Sequence, residues 1–192
     1  SFVFVIGDNG TPAEASGGLP GSCYDPARGK GSPYQSGVRV PLLVAGPGVV
    51  TGECAALVCS TDLFATVAEL AQVAAVAEDS VSLTPYLRGD MTPLRQAVYS
   101  ELFLPNQRSA LENFPFRPER HLRTVRNARY KLIRLTNQNG LVIEELYDLQ
   151  SDPCEQLDLC PGNRECQAAS LTPDALANYL ALAAEFTALG VD

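Results

Sequence analysis

The sequence predicts an α/β chain in two parts. Residues 1–95 read as an incomplete portion of a mostly parallel sheet, and residues 96–192 as a small α+β subdomain with an antiparallel sheet and a final helix. Three observations carry this. Phe2 to Ile6 is apolar at every position, as in a strand covered on both faces. Val40 to Ala45 is the second run of this kind. From about residue 96 the pattern turns into short strands joined by Asn- and Gly-bearing turns. Two covered strands make a poor parallel sheet, and the first opens the chain with nothing before it to pair with. The pattern therefore predicts a piece of something larger, and the start at Ser1 rather than Met agrees with a missing leader and more.

Each element has its own signal. A Gly- and Pro-rich loop runs from Gly7 to Gly37, and loops of that length usually serve function. Ser60 to Val73 predicts a helix, with Ser60, Thr61 and Asp62 at its start and Leu63, Phe64, Val67, Leu70 and Ala71 as the apolar stripe. Leu83 to Arg88 predicts a short helical turn stopped by Gly89. Ala97 to Phe103, Leu122 to Arg126, Tyr130 to Leu135 and Val142 to Leu149 predict strands. Asn127 to Arg129 and Asn137 to Gly140 link the last three into an antiparallel meander. A last helix starts at Pro173 with Thr172 as its cap, and buries Leu176, Leu180, Ala183 and Ala184.

Composition narrows the function. Acidic residues outnumber basic ones 22 to 14, a net charge of −8, which disfavours nucleic-acid and anionic-membrane partners because phosphate binding needs a basic face. No apolar run is long enough to span a bilayer. The six cysteines, at 23, 54, 59, 154, 160 and 166, form no C-x-x-C pair, and His121 is the only histidine, read as a surface residue. That argues against zinc and for one or two disulfides in an oxidising compartment, with the pairing open.

Four segments are candidates for chemistry. Asp8 and Asn9 follow the first strand directly, where α/β folds place ligands, and offer a carboxylate and an amide oxygen suited to Ca²⁺ or Mg²⁺. The same Asn-Gly pair also suits a plain tight turn. Lys30 stands between Gly29 and Gly31 and can hold a tetrahedral anion, or simply be a solvated loop lysine. Arg39 reads as an anchor of the loop by an internal ion pair. The stretch from Cys23 to Arg28 reads as a disulfide or inert thiol rather than an activated one.

Taken in order, Val5 to Gly10, Lys30 with Gly37 to Pro41, Gly46 to Gly48, Ser60 to Phe64 with Thr66, and Ser82 to Gly89 form one series. Arg123 to Arg126 with Tyr130 to Ile133, then Glu145 to Leu149 with Asp152 and Pro153, complete it. The series resembles the C-terminal half of a sulfatase of the arylsulfatase type, in the alkaline-phosphatase-like superfamily, over nearly the whole chain. The resemblance implies a sulfuric ester hydrolase as the parent protein, secreted or periplasmic, acting on a small-molecule or carbohydrate sulfate ester. It implies Asp8 and Asn9 as ligands of a divalent cation, usually Ca²⁺, and Lys30 as the sulfate-binding cation. It further implies a formylglycine nucleophile, made from Cys or Ser in a C/S-x-P-x-R motif. That motif is not in this chain: Cys23 to Arg28 has one residue too many before Pro26 and lies after the Asp-Asn pair. No catalytic residue is therefore assigned here, and the isolated chain is expected to hydrolyse nothing, its partner being the missing N-terminal half. Gln35-Ser36-Gly37 stands where the family often has Glu-Gly-Gly, and Thr11-Pro12 is a variant continuation of the turn. The other readings are a phosphomonoester, phosphodiester or phosphonate hydrolase of the same superfamily, and a non-catalytic sulfatase-like module.

Overall fold

A computed structural model describes residues 1–12, 25–104, 118–162 and 164–190. By its contacts the chain divides into two compact units, Ser1–Gly7 with Val40–Val98, and Asp8–Arg39 with Tyr99–Asp192.

In the first unit, β1 (Val3–Ile6) pairs with β2 (Leu42–Ala45). The pairing is antiparallel, Val3 opposite Ala45 and Ile6 opposite Leu42, so these two strands are not parallel neighbours as their apolar runs suggested. Gly7 N–H donates to the Pro41 carbonyl at 3.2 Å, next to the Ile6–Leu42 end of the ladder. One face, bearing Val3, Val5 and Leu43, is more than half exposed among the described residues, so the predicted covering of both faces is not found there. The helix α2 (Asp62–Leu70) forms where expected but turns a different face inward. Phe64 and Val67 are exposed, whereas Asp62 and Thr66 are buried. The spacing of four places those two on one helical face, and their polar atoms are satisfied from neighbouring chain: Thr66 Oγ1 accepts from Leu83 N–H at 2.9 Å. A short helix α3 (Thr84–Leu87) ends at Gly89, whose φ of +92° lies in the left-handed region that favours glycine.

In the second unit, a turn of helix α1 (Gln35–Val38) precedes a four-stranded sheet in the order β3 (Val98–Leu104), β4 (Arg120–Arg126), β5 (Tyr130–Asn137), β6 (Val142–Asp148). The last three form the predicted antiparallel meander. Its turns are fixed by asparagine side chains: Asn127 Oδ1 accepts from Arg129 and Tyr130, and Asn137 Oδ1 from Asn139 and Leu141.

The final helix α4 (Pro173–Ala188) is capped by Thr172, whose Oγ1 accepts from Ala175 N–H at 3.3 Å. Its inner face is Ala175, Leu182 and Phe186, not the predicted stripe, and Leu180 is exposed. The sheet face it meets is partly ionic, and this selects the face. The guanidinium of Arg134 lies 4.6 Å from the Phe186 ring centroid, and Tyr179 donates to Glu144 at 2.8 Å. Both sheet faces are in use. Tyr130 and Glu144 meet α4, while Lys131, Glu145 and Tyr147 meet the segment carrying α1.

Arg129 fastens the start of α4 to the sheet. It holds Asp148 through two hydrogen bonds of 3.0 and 2.7 Å and Asp174 at 2.8 Å. The Arg129 hydrogen bond lowers the Asp148 carboxyl to about 2. Its folded value lies below its unfolded one, so this contribution is full above about pH 4 and is lost as pH falls toward about 2. The expected outcome is a flatter dependence of the urea midpoint on pH in this range for Asp148→Asn than for the unaltered protein. Equal slopes would show that the pair adds nothing.

The bridge Cys160–Cys166 is formed with 4.9 Å between Cα atoms, and Cys154 is disulfide-bonded as well. Cys54 and Cys59 are free thiols. Cys23 lies outside the described residues.

Candidate functional site

The turn after β1 and the lysine loop both belong to the second unit. They are joined by main chain. Gly10 N–H donates to the Gly37 carbonyl at 3.1 Å, Thr11 N–H to Ser36 at 3.0 Å, and Lys30 N–H to the Thr11 carbonyl at 2.8 Å. Glycine is what permits the approach: a Cβ on Gly10 would lie 2.2 Å from the Ser36 oxygen and 2.5 Å from the Gly37 carbonyl carbon. One backbone hydrogen bond thus separates the segment of Lys30 from the residue three places after Asp8.

The side chains of Asp8, Asn9 and Lys30 belong to exposed residues. Among the described residues, none of the three forms a side-chain hydrogen bond or ion pair. No three His, Cys, Asp or Glu side chains gather here among the described residues. The donor set is one carboxylate and one amide oxygen, hard oxygen donors of the kind Ca²⁺ or Mg²⁺ takes.

The loop beneath Lys30 is held from the sheet. Asp25 caps the turn Pro26–Arg28, accepting from Ala27 N–H at 2.9 Å. Arg28 donates to the Glu155 carbonyl and lies 4.4 Å from the Tyr34 ring centroid. Ser32 Oγ donates to the Arg28 carbonyl at 2.5 Å. Tyr34 and Tyr147 both donate to Glu145 Oε2, at 2.8 and 2.7 Å. Burial, and then those bonds to the carboxylate, push both phenols well above their ordinary value, so they stay protonated donors. Lys131 and Glu155, both buried, pair at 2.7 Å, and Glu155 Oε2 accepts from Gln35 N–H at 2.6 Å. Burial lowers the Lys131 ammonium to about 8, against the raising effect of Glu155.

Arg28, not Arg39, is the loop's anchor. Arg39 is exposed and forms no ion pair among the described residues. The Arg126 guanidinium is lowered by burial first and then by the like charge of Arg39. His121 is only partly exposed, paired with Glu101 at 2.9 Å and stacked 4.2 Å from Phe103, so it is not simply a surface residue. The sequence reading missed Lys131, Glu145 and Glu155. A lysine inside the apolar strand Tyr130 to Ile133 was the one available signal, since a charge there needs a buried partner.

These elements define an α/β protein with an antiparallel C-terminal sheet, and solved sulfatases share its architecture. The structure matches the 2-O GAG sulfatase BT1596 with a TM-score of 0.67 and 27% identity, over 100% of this chain and 37% of that one. A putative sulfatase from Bacteroides thetaiotaomicron VPI-5482 gives 0.65 and 27%, over 96% and 35%. Human arylsulfatase A is 30% identical over 92% of this chain and 36% of its own length. Residues 29–173 match the family described as N-sulphoglucosamine sulphohydrolase, C-terminal, and the chain belongs to that sulfatase family. It spans little more than a third of the length of these relatives.

Proposed function

We propose that the chain is the C-terminal portion of a sulfatase that hydrolyses sulfate monoesters. The observation that carries this reading, beside the family match, is the hydrogen bond from Lys30 N–H to the Thr11 carbonyl. It sets a cation and a pair of oxygen donors on adjoining segments, with none of the three spent on folding. Residues 1–95 belong to the catalytic α/β domain and residues 96–192 form the C-terminal subdomain. The exposed apolar face of Val3, Val5 and Leu43 supports the view that more of the catalytic domain covers it.

In this reading Asp8 and Asn9 hold a divalent cation, and Lys30 holds the sulfate group. The cation supplies positive charge that polarises the sulfonyl oxygens. Lys30 contributes a second fixed charge to the same oxygens as negative charge builds on them, a contribution that is larger where water is excluded. The formylglycine nucleophile lies outside these 192 residues. Ca²⁺ takes about six to eight oxygens, so two donors alone hold it feebly. Loss of a nucleophile costs on the order of 10⁶ in turnover. The isolated chain is accordingly inactive. A carbohydrate sulfate ester is the substrate class, supported by the relative described as a 2-O GAG sulfatase. The disulfides support a secreted or periplasmic location. No helix of the described residues is long and apolar enough to cross a membrane.

Calcium titration of the full-length protein tests the assignment. Asp8→Ala is expected to weaken binding by at least about tenfold, since even outer-shell partners of a metal are worth that much. Unchanged affinity would remove Asp8 from the metal site.

A further inference from the structure

The Lys131–Glu155 pair is not explained by stability. Burying two ions incurs a desolvation cost that their attraction rarely exceeds, and an apolar pair of the same volume is often as stable or more so. What the pair does do is geometric. Glu155 Oε1 lies 2.7 Å from Lys131 Nζ on β5, while Oε2 accepts from the backbone N–H of Gln35 at 2.6 Å. Gln35 opens α1, directly before Ser36 and Gly37, whose carbonyls hold Thr11 and Gly10. Glu155 also lends its own carbonyl to Arg28, two residues before Lys30. Its backbone φ of +55° is unusual for a side chain other than glycine, and such residues cost free energy that surrounding contacts must offset. One residue therefore touches the lysine loop on both sides of Lys30 and is itself anchored in the sheet.

We propose that Glu155 is a positioning residue, with Lys131 as its anchor: it fixes the loop of residues 28–37 so that Lys30 stands beside the Asp8-Asn9 turn. This rests on the sulfatase reading of Lys30. The C-terminal sheet is then part of the apparatus that sets affinity for the sulfate group, although it contributes no atom to the substrate.

The test uses the full-length enzyme, with inorganic sulfate as competitive inhibitor and KM for a sulfate ester as readouts. In Glu155→Leu/Lys131→Met both charges and the acceptor for Gln35 are removed. In Glu155→Gln/Lys131→Met the charges go but an acceptor for Gln35 remains. Gln35→Pro removes only the N–H and the glutamine side chain, at a first helical position that tolerates proline. The expected result is sulfate inhibition weakened by about tenfold or more in the first and third variants, as small misplacements of positioned groups produce. The second variant, which keeps the acceptor but loses the anchor, should fall between the first variant and the unaltered enzyme. If Glu155→Leu/Lys131→Met does not fold, Gln35→Pro gives the same readout. Folded variants with unchanged sulfate inhibition overturn the proposal, provided Lys30→Ala weakens it. If Lys30→Ala also leaves it unchanged, the sulfate role of Lys30 falls, and the positioning role with it. A change in melting temperature alone, with inhibition and KM unaltered, shows a purely structural pair and likewise overturns it.

Discussion

Replacing Asp62 with alanine is expected to lower the stability of the protein by about 3–5 kcal/mol, the cost of breaking a buried ion pair from one side. Asp62 is fully buried in the first unit. Its carboxylate accepts from Cys59 N–H at 2.8 Å and Val81 N–H at 2.9 Å, and Arg95 Nε lies 3.0 Å from both oxygens. Burial pushes its pKa up, but the bonds from Arg95, Val81 and Cys59 outweigh burial and hold it below the ordinary carboxylate value. The carboxylate thus gathers the approach to α2, the segment after it and the arginine beyond α3. Alanine leaves those N–H groups and the guanidinium without their acceptor. For a chain of this size the loss corresponds to a melting temperature lower by about 10 °C. A urea midpoint within experimental error of the unaltered protein would show that Asp62 is not the hub of this unit. Because the folded pKa is depressed, the contribution of Asp62 holds above the ordinary carboxylate value and fades as pH falls through it.

The second large effect is on activity. Lys30→Ala in the full-length enzyme is expected to reduce kcat/KM for a sulfate ester by about 10²–10³, the usual loss when one preorganised charge or donor is removed from a developing anion. Lys30 is exposed and unpaired among the described residues, so its removal leaves folding intact. Stability unchanged with activity lost is the expected combination. Activity retained to within about threefold would mean that Lys30 does not meet the sulfate group, and would take the mechanism with it.

The parts of the fold legible beforehand are those whose cause is local. Asn127 and Asn137 fold the meander because their side chains bond main chain a few residues away. Thr172 and Pro173 start α4 because cap and first turn are adjacent in sequence. Apolarity alone points to the wrong inward faces of α2 and α4. Asp62, Thr66 and Tyr179 are inward or half-buried because of acceptors and donors on other elements. The direction of β2 relative to β1 was also out of reach, because an apolar run reports burial and not the orientation of its neighbour.

The candidate site divides in the same way. Asp8, Asn9 and Lys30 could be singled out by residue type, by position after a strand and between glycines, and by resemblance. Glu155 could not, since its contact with Gln35 joins residues 120 apart in the chain.

The amino-acid order alone pointed to most of the segments that become strands and helices, and to the polar side chains we propose for a cation and an anion, because those readings follow from neighbours within a few residues. Only the tertiary structure decided which helical faces turn inward, how β1 and β2 pair, and what holds the lysine loop. The helical faces and the loop depend on buried polar partners brought together across long stretches of chain, where an unsatisfied group costs more than an exposed apolar one, and the pairing of β1 with β2 on a backbone ladder between segments far apart in sequence.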